Sequence, residues 1–462
     1  MNIIILNGSP KGNLSVTMQY VAYLSKIRPE HQFNIIHIAQ RIKLLENDQT
    51  EFNQVIEQIN HADAIIWGFP LYVLMVHAHY KRFIELIWER NAQASFAGKY
   101  TASLSTSIHF FDHTAHNYIH AICDDLQMNY VDYFSADMND LRTDSGRQEL
   151  TSFFDLFMNS ITDHTPTQPF YQPLPASNFI YSPAPSIVPL PETHKKIVIL
   201  HDEDDPASNL GKMIARCADR FDGKATVVNI NKLNIKASCI GCLKCGGNNQ
   251  CSYIGKDDYI EFYKNTVMTA DILIYAGRVV DRFLSSRWKM FFDRIFFNTH
   301  TPVLIGKQIS FLISGPFSQV PNIMEILRGF FEFQGANIVG VVSDEMDNSP
   351  ALDKAIDNLA LRLAASAKAG YVRPHTFLGV GGMKIFRDDI YGRLRTVFDA
   401  DHRAFKKMGI YRSFPQNSLS ITLLNTFIAP IVNIPFVRRK FDQIIKEEMV
   451  NGYKSVIEKA SG

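Results

Sequence analysis

A chain of 462 residues and 52.5 kDa is too long for one hydrophobic core and amounts to roughly three domain lengths. Hydrophobic residues at 46% and charged residues at 20% exclude disorder, and 47 basic against 46 acidic side chains exclude the basic excess of a dedicated nucleic-acid binder. Six cysteines exclude a disulfide scaffold, and the start MNIIILNGSP has no basic n-region or cleavage site, so a reducing cytoplasm is the expected compartment.

The chain opens on an apolar run, Ile3–Leu6, that enters a Gly/Ser turn and a helix from about Ser15. A strand near Phe33–Ile38 and a helix near Glu51–Asn60 follow, then a strand at Ala64–Phe69 and a helix at about Val76–Arg90. Further strands are predicted near Tyr100–Leu104 and Tyr130–Phe134. Between Pro166 and Pro191 lie 8 of the chain's 20 prolines. That density blocks helix and sheet interiors, and it suits either an extended linker or an irregular arm packed on a surface. The series then restarts, with strands at Lys196–Leu200, Ala225–Ile230, Ile272–Tyr275, Ile309–Ile313 and Asn337–Val342 and helices between them. Short, continuously apolar strands alternating with helices read as βαβ units around a parallel sheet, so the chain is a duplicated α/β doubly wound fold. The domains expected are 1–163, a Pro-rich linker 164–194, 195–370, and a C-terminal extension 371–462. The extension carries 15 Lys/Arg against 8 Asp/Glu, and it reads as helical at Asp389–Lys407 and Val437–Lys459. Gly379, Gly381 and Gly382 near its start read as a turn, and its basic residues Arg387, Arg393, Arg395, His402, Arg403 and Lys406 read first as a solvated helix face, with an anionic ligand or the acidic remainder of the chain as the alternative partner. Its longest apolar stretch, Ile421 to Val437, is broken by two prolines and two asparagines and is too interrupted to span a bilayer. For Leu419–Val437 a packing or lid role is expected, with an oligomer contact or a membrane-surface patch as alternatives.

Three loops of the first half carry chemistry. The first, Gly8 to Thr17, offers the hydroxyls of Ser9, Ser15 and Thr17, the charge of Lys11 and a helix N-terminus, which together suit a phosphate. It is neither a Walker A loop nor a dinucleotide fingerprint. The second places Pro70-Leu71-Tyr72-Val73 at a strand C-terminus, where open α/β sheets bind ligands and where backbone amides and an aromatic wall suit a flat ring. The helix after it carries Lys81, Phe83 and Glu85. The third, Ser105-Thr106-Ser107, ends the fourth strand at the same sheet edge and runs into His109, His113, His116 and His120. These histidines read as surface or ligand-edge groups rather than a metal site, with Asp112 placed to orient one of them.

The second half carries Cys239, Cys242, Cys245 and Cys251, a C-x2-C-x2-C-x5-C run. Zinc sites favour two separated pairs, whereas three cysteines at consecutive spacings of three suit a cubane held by one tightly curved loop; zinc and a redox disulfide remain alternatives. Cys123 and Cys217 read as buried packing residues. The counterpart of the phosphate loop here, His201 to Asn209, holds four carboxylates and would repel a phosphate.

The first-half loops resemble the flavodoxin-like NAD(P)H-dependent FMN reductase and quinone reductase superfamily. They share the Ser-x5-Ser-x-Thr spacing of its azoreductase-like branch and an ADAIIWGFPLY segment followed by a Lys-x-Phe helix. The departure is Leu74-Met75-Val76-His77, where many members have Gly or Pro. The cysteine run and the GKDDYIEFYKNTVMTADILIY segment after it are similar to iron–sulfur flavoproteins. The resemblance implies two flavodoxin-like domains in tandem. It also implies FMN held by Ser9, Lys11, Ser15, Thr17, Pro70, Leu71, Tyr72, Val73, Ser105, Thr106 and Ser107, with Tyr72, His109 and His113 as candidate catalytic groups. A [4Fe–4S] cluster on the four cysteines, NAD(P)H as co-substrate, a quinone, flavin or other small acceptor, and a homo-oligomer are implied as well. An electron carrier serving a redox protein and a cysteine-based redox sensor are the alternative functions.

Overall fold

The computed structural model describes residues 1–185, 190, 194–413 and 419–460. In chain order the strands of the first half are β1 (Asn2–Asn7), β2 (Gln32–His37), β3 (Ala64–Pro70), β4 (Tyr100–Ser107) and β5 (Asn129–Asp137). Its helices are α1 (Val16–Ile27), α2 (Ile38–Asn47), α3 (Gln49–Asn60), α4 (Ala78–Glu89), α5 (Asp112–Asp125) and α6 (Asp144–Thr162). The second half repeats the scheme with β6 (Ile197–His201), β7 (Thr226–Asn229), β8 (Ile272–Arg278), β9 (Gln308–Ser314) and β10 (Asn337–Ser343). Its helices are α7 (Asn209–Arg220), the short α8 (Tyr259–Phe262), α9 (Ser286–Arg294), α10 (Pro321–Phe333) and α11 (Ser349–Ala369). Both sheets are wholly parallel, in the orders β2-β1-β3-β4-β5 and β7-β6-β8-β9-β10. This is one flavodoxin-like topology used twice. Ile3, Ile5, Ile66 and Leu104 share one core with α1 and α6, and Ile199, Ile274 and Leu312 share another with α7 and α11.

The helix α2, which sequence patterning misses, follows β2 with no intervening turn residue. The proline-rich segment is an ordered arm rather than a free linker as far as it is described. Asp124 accepts bonds from the backbone N–H groups of Phe170 and Tyr171, at 2.9 and 2.8 Å, and Tyr181 is fully buried in the second core. The Tyr181 hydroxyl donates to Asp353 at 2.5 Å, and the backbone N–H of Ala184 donates to the same carboxylate. Tyr181→Phe removes the hydroxyl donor and is expected to cost about 1–2 kcal/mol, read as a fall of a few degrees in melting temperature.

The glycines of the extension do not form a turn. They lie inside α12 (Phe377–Tyr391), whose N-terminus the Thr376 side chain caps by accepting from the Leu378 N–H. A side chain at Gly379 would press on Glu332 of α10, and one at Gly382 would collide with the Phe110 ring, so the glycines permit close packing. The single helix expected over Asp389–Lys407 is broken by a turn after Tyr391 and resumes as α13 (Asp399–Lys407). The described remainder forms α14 (Leu419–Val432) and α15 (Pro435–Lys459). The chain divides into compact units of Met1–Ala404 and Phe405–Gly462, so the first part of the extension belongs with the two sheets. Among the described residues no helix is long and apolar enough to cross a membrane.

Candidate functional site

At the C-terminal edge of the first sheet, three loops are tied together where the strand order reverses between β1 and β3. The Gly8 N–H donates to Gly68 O at 2.7 Å, Leu71 N–H donates to Thr106 O at 3.3 Å, and the Thr17 and Thr106 hydroxyls meet at 2.7 Å. In the first loop the Ser9 N–H donates to Asn7 Oδ1 at 2.9 Å and the Lys11 N–H donates to Ser9 Oγ at 3.2 Å. Gly12 stands at φ +58°, a backbone state suited to glycine. Ser15 is the N-cap residue of the 12-residue α1, but its side chain makes no capping bond. Its hydroxyl is buried without a partner. An orphaned buried hydroxyl costs free energy unless a ligand satisfies it, so the loop fits an anionic group at the helix N-terminus.

The second loop turns within four residues. Tyr72 and Met75 exchange backbone bonds at 2.9 and 3.1 Å, and Val73 and Leu74 both adopt positive φ, at 40° and 63°. A β-branched residue in that region stores strain, which persists where the surroundings enforce it. Here Leu74 is buried and its carbonyl accepts from the Thr114 hydroxyl at 2.5 Å.

The histidines separate into different roles. His116 is buried between Ser103 and Ser105, at 2.7 and 2.8 Å, and burial pushes its pKa down to about 3. It is a core residue, not a surface or ligand-edge group. His120 stacks on Tyr130, with ring centroids 4.0 Å apart. His113 pairs with Glu325 of α10 at 2.8 Å on an exposed surface. His109, at φ +62°, binds Asp112 through Nδ1 at 2.8 Å, and Ser135 donates to the same carboxylate at 2.5 Å. The bond to Asp112 raises the His109 pKa. Burial alone would raise the Asp112 carboxyl, but the bonds from His109 and Ser135 outweigh it and hold that group well below the usual carboxylate range. The stabilisation carried by protonated His109 is therefore full below its unfolded pKa of about 6.5 and lost as pH rises through the higher folded value. Asp112→Asn is expected to lower the His109 pKa in an NMR titration.

The second domain covers this edge. α4 packs on α9, and the two helices exchange matching contacts across the interface. Lys81 lies beside Glu85 and bonds Asp281 at 2.8 Å, while Lys289 lies beside Asp293 and donates to Tyr72 O at 2.8 Å. Glu85 accepts from the N–H of Ser286, the first residue of α9, at 2.6 Å. Asp293 accepts from the N–H of Ala78, the first residue of α4, at 2.8 Å. Asp293 also accepts from Ser238 Oγ at 2.8 Å, just before Cys239, and His77 Nε2 donates to Cys239 O at 2.7 Å. A side chain at Gly241, φ +63°, would meet the Tyr72 hydroxyl and Lys11 Cε. The cysteine loop is thus seated on the second and first loops of the other domain.

The four cysteines are free thiols that line one cavity with Arg294 and Phe296. Among the described residues no three His, Cys, Asp or Glu side chains are gathered around a point able to hold a metal ion. The four thiols share one narrow cavity of about 20 Å³, and a set of four sulfur donors is the chemistry that either an iron–sulfur group or a zinc ion requires. Burial pushes the Cys239 and Cys245 thiols up to about 12. Arg294 is buried in a pair with Asp257 at 2.6 Å. The extension buttresses this wall: Asp401 accepts from Thr299, His300 and Thr301, and Arg403 donates to Gly247 O at 2.7 Å. Arg393 pairs with Asp137 of the first domain at 2.6 Å, so at least this residue is not a solvated charge.

The second domain's own loops are occupied internally. Asp202 accepts from Ser285 at 2.5 Å, Asp204 from Asn229 and Asn231, and Glu203 pairs with Arg278 at 3.0 Å. Burial pushes Asp202 up to about 6. Asp281 and Arg282, in the loop matching Pro70–Val73, instead clamp Lys81 and Asp125 of the first domain. Sequence reasoning missed Lys289, Asp293 and His77. The available signal was the Lys-x3-acid spacing shared by Lys81/Glu85 and Lys289/Asp293 after the third strand of each half.

These features define a tandem flavodoxin-like α/β protein whose first sheet edge carries a phosphate-type loop. The model of a family described by its flavodoxin-like fold matches residues 1–152, about a third of the chain. No curated protein matches the chain. Among solved structures, the chain is similar to an apo NADH:FMN oxidoreductase named EMOB, at 18% identity over 34% of this chain and 89% of that one, with a TM-score of 0.29. It is similar to the flavoenzyme NAD(P)H:(acceptor) oxidoreductase FerB from Paracoccus denitrificans, at 18% identity over 35% and 98%, with a TM-score of 0.30. It is also similar to an FMN-dependent NADH-azoreductase from Bacillus anthracis, at 11% identity over 36% and 100%, with a TM-score of 0.26.

Proposed function

We propose that the protein is an FMN-dependent oxidoreductase that passes reducing equivalents from NAD(P)H to a quinone, flavin or other small acceptor, with an iron–sulfur cluster on the four cysteines as a second redox centre. The observation that carries the flavin reading is the buried, unpartnered Ser15 hydroxyl at the head of α1, within three loops bonded to one another. Ser9, Lys11, Ser15 and Thr17 hold the phosphate. Pro70 to Val73 and Ser105 to Ser107 border the ring. When bound, FMN supplies hydride exchange with a nicotinamide and electron release in one- or two-electron steps. His109, oriented by Asp112 and raised in pKa by it, holds a proton for the acceptor. Tyr72 supplies an aromatic wall whose hydroxyl burial keeps protonated. The cysteine loop seated on Tyr72 and Lys11 supports electron exchange between the two centres within one chain. The free thiols fit a reducing cytoplasm.

The test is an anaerobic absorbance spectrum with flavin, iron and sulfide counts per chain, beside FMN titrations of the protein and of Ser15→Ala. One FMN per chain is expected, with Ser15→Ala weakening affinity about tenfold, the worth of one hydrogen bond to a charged group. Cys242→Ser is expected to remove iron absorbance and leave FMN bound. A chain that takes up no FMN overturns the reading, and FMN without iron leaves the flavin reading and overturns the cluster.

A further inference from the structure

The Phe405–Gly462 unit presents a surface that the redox reading does not use. In α14 Leu419, Ser420 and every residue from Thr422 to Ile431 are exposed, among them Leu423 at 57%, Phe427 at 70% and Ile431 at 54%. Phe436, at the start of α15, is 67% exposed. Of the polar residues of α14, Thr422, Asn425 and Thr426 stand at i, i+3 and i+4 on one narrow stripe, and apart from Ser420 the rest of its circumference is apolar. A contiguous apolar surface of this kind marks an interaction site.

The charge pattern says what covers it. From Phe405 to Phe441 the chain holds six basic residues, Lys406, Lys407, Arg412, Arg438, Arg439 and Lys440, and no aspartate or glutamate. The basic residues stand on both sides of the apolar helix. The α14 helix has 14 residues, which at about 1.5 Å each span about 21 Å, short of the ~30 Å hydrocarbon core. An apolar helix too short to cross and flanked by cations suits the interface of an anionic bilayer, with the helix in the acyl boundary and the Lys/Arg groups at the phosphates. Lys440 already lies over the Phe436 ring at 4.8 Å, its charge beside the apolar surface it would anchor.

We propose that α14 and the start of α15 dock the protein reversibly on an anionic phospholipid surface. The docking is peripheral: the helix lies in one leaflet and does not span it.

The experiment is flotation of the full chain with vesicles of phosphatidylcholine alone or of phosphatidylcholine with phosphatidylglycerol, with light scattering for mass. The protein is expected to float with the anionic vesicles and to be released by raised salt. A triple variant, Arg438→Gln with Arg439→Gln and Lys440→Gln, is expected to weaken partitioning by tenfold or more. Leu423→Glu with Phe427→Glu is expected to abolish it while leaving FMN content and melting temperature unchanged, because both residues are solvent-exposed. Failure to float overturns the proposal. A mass that doubles with concentration and reverts in the Leu423/Phe427 variant, without flotation, assigns the helix to a second copy of this chain and also overturns it. Equal flotation on neutral and anionic vesicles overturns the charge argument.

Discussion

Replacing Asp293 by asparagine is expected to destabilise the folded chain by about 3–5 kcal/mol, the cost of leaving a buried charge without its partner. Asp293 is fully buried and lies against Lys289, which is itself buried. Burial drives the lysine pKa down and the carboxyl pKa up, and the contact between the two opposes both shifts. The same carboxylate also receives the Ala78 N–H and the Ser238 hydroxyl, while Lys289 holds the Tyr72 carbonyl. Asparagine keeps an acceptor for Ala78 or Ser238 but removes the charge that Lys289 faces. The double variant Asp293→Asn with Lys289→Met is therefore expected to recover a large part of the loss, since it removes the orphaned ammonium as well. Denaturant unfolding of the single and double variants measures this, and FMN affinity measured in parallel reports the second loop. If the single variant unfolds at the wild-type midpoint, the pair is not an anchor.

Much of the fold was legible because it rests on local pattern. Continuously apolar strands such as Ile3–Leu6 and Ile272–Tyr275 alternate with helices, and this pattern implies parallel sheets whatever the partners. The strand order and the seating of one domain on the other are not local. Asp293 and Ala78 are 215 positions apart, and no single-chain periodicity brings them together. The same holds for His116, whose helical spacing with His113 and His120 was visible but whose burial follows from the position of β4 behind it. The glycines of α12 misled in the opposite sense. Glycine reads locally as a turn, yet Gly379 and Gly382 are required by neighbours at Glu332 and Phe110 that lie far away in sequence. The phosphate-type loop was legible because all its groups come from one strand-to-helix connection.

The division of labour between the halves follows from which loops are free. Matching elements after β3 and β8 do different work: Pro70 to Val73 form a strained turn that the second domain holds at the Tyr72 carbonyl, whereas Asp281 and Arg282 bond across with their side chains to Lys81, Tyr118 and Asp125. A loop whose side chains are committed to an interface has none left for a ligand. The duplicated fold has thereby turned one potential ligand edge into a clamp on the other.

Gly241→Ala is expected to have the second large effect, and it tests the contact between the cysteine loop and the candidate flavin loop. Gly241 stands at φ +63°, where an alanine costs about 1–2 kcal/mol from backbone strain alone. Its new methyl would also collide with the Tyr72 hydroxyl and press on Lys11 Cε at 2.8 Å. Tyr72 is held from behind by Lys289 at its carbonyl and packs edge-on against His77 at 4.8 Å, so it has little room to yield. The displacement falls on the two loops proposed to hold the phosphate and border the ring, and FMN affinity is expected to fall tenfold or more, given that 1.4 kcal/mol is a factor of ten. Tyr72→Phe on the Gly241→Ala background removes the hydroxyl that the methyl strikes, while the ring carbon behind it stays at an ordinary 3.4 Å. A coupling of about 0.5–3 kcal/mol in the FMN double-mutant cycle is expected, with the double variant binding FMN better than Gly241→Ala alone. Additive effects would mean that the cysteine loop and the Tyr72 turn are energetically separate, and would remove the structural basis for electron exchange across that contact.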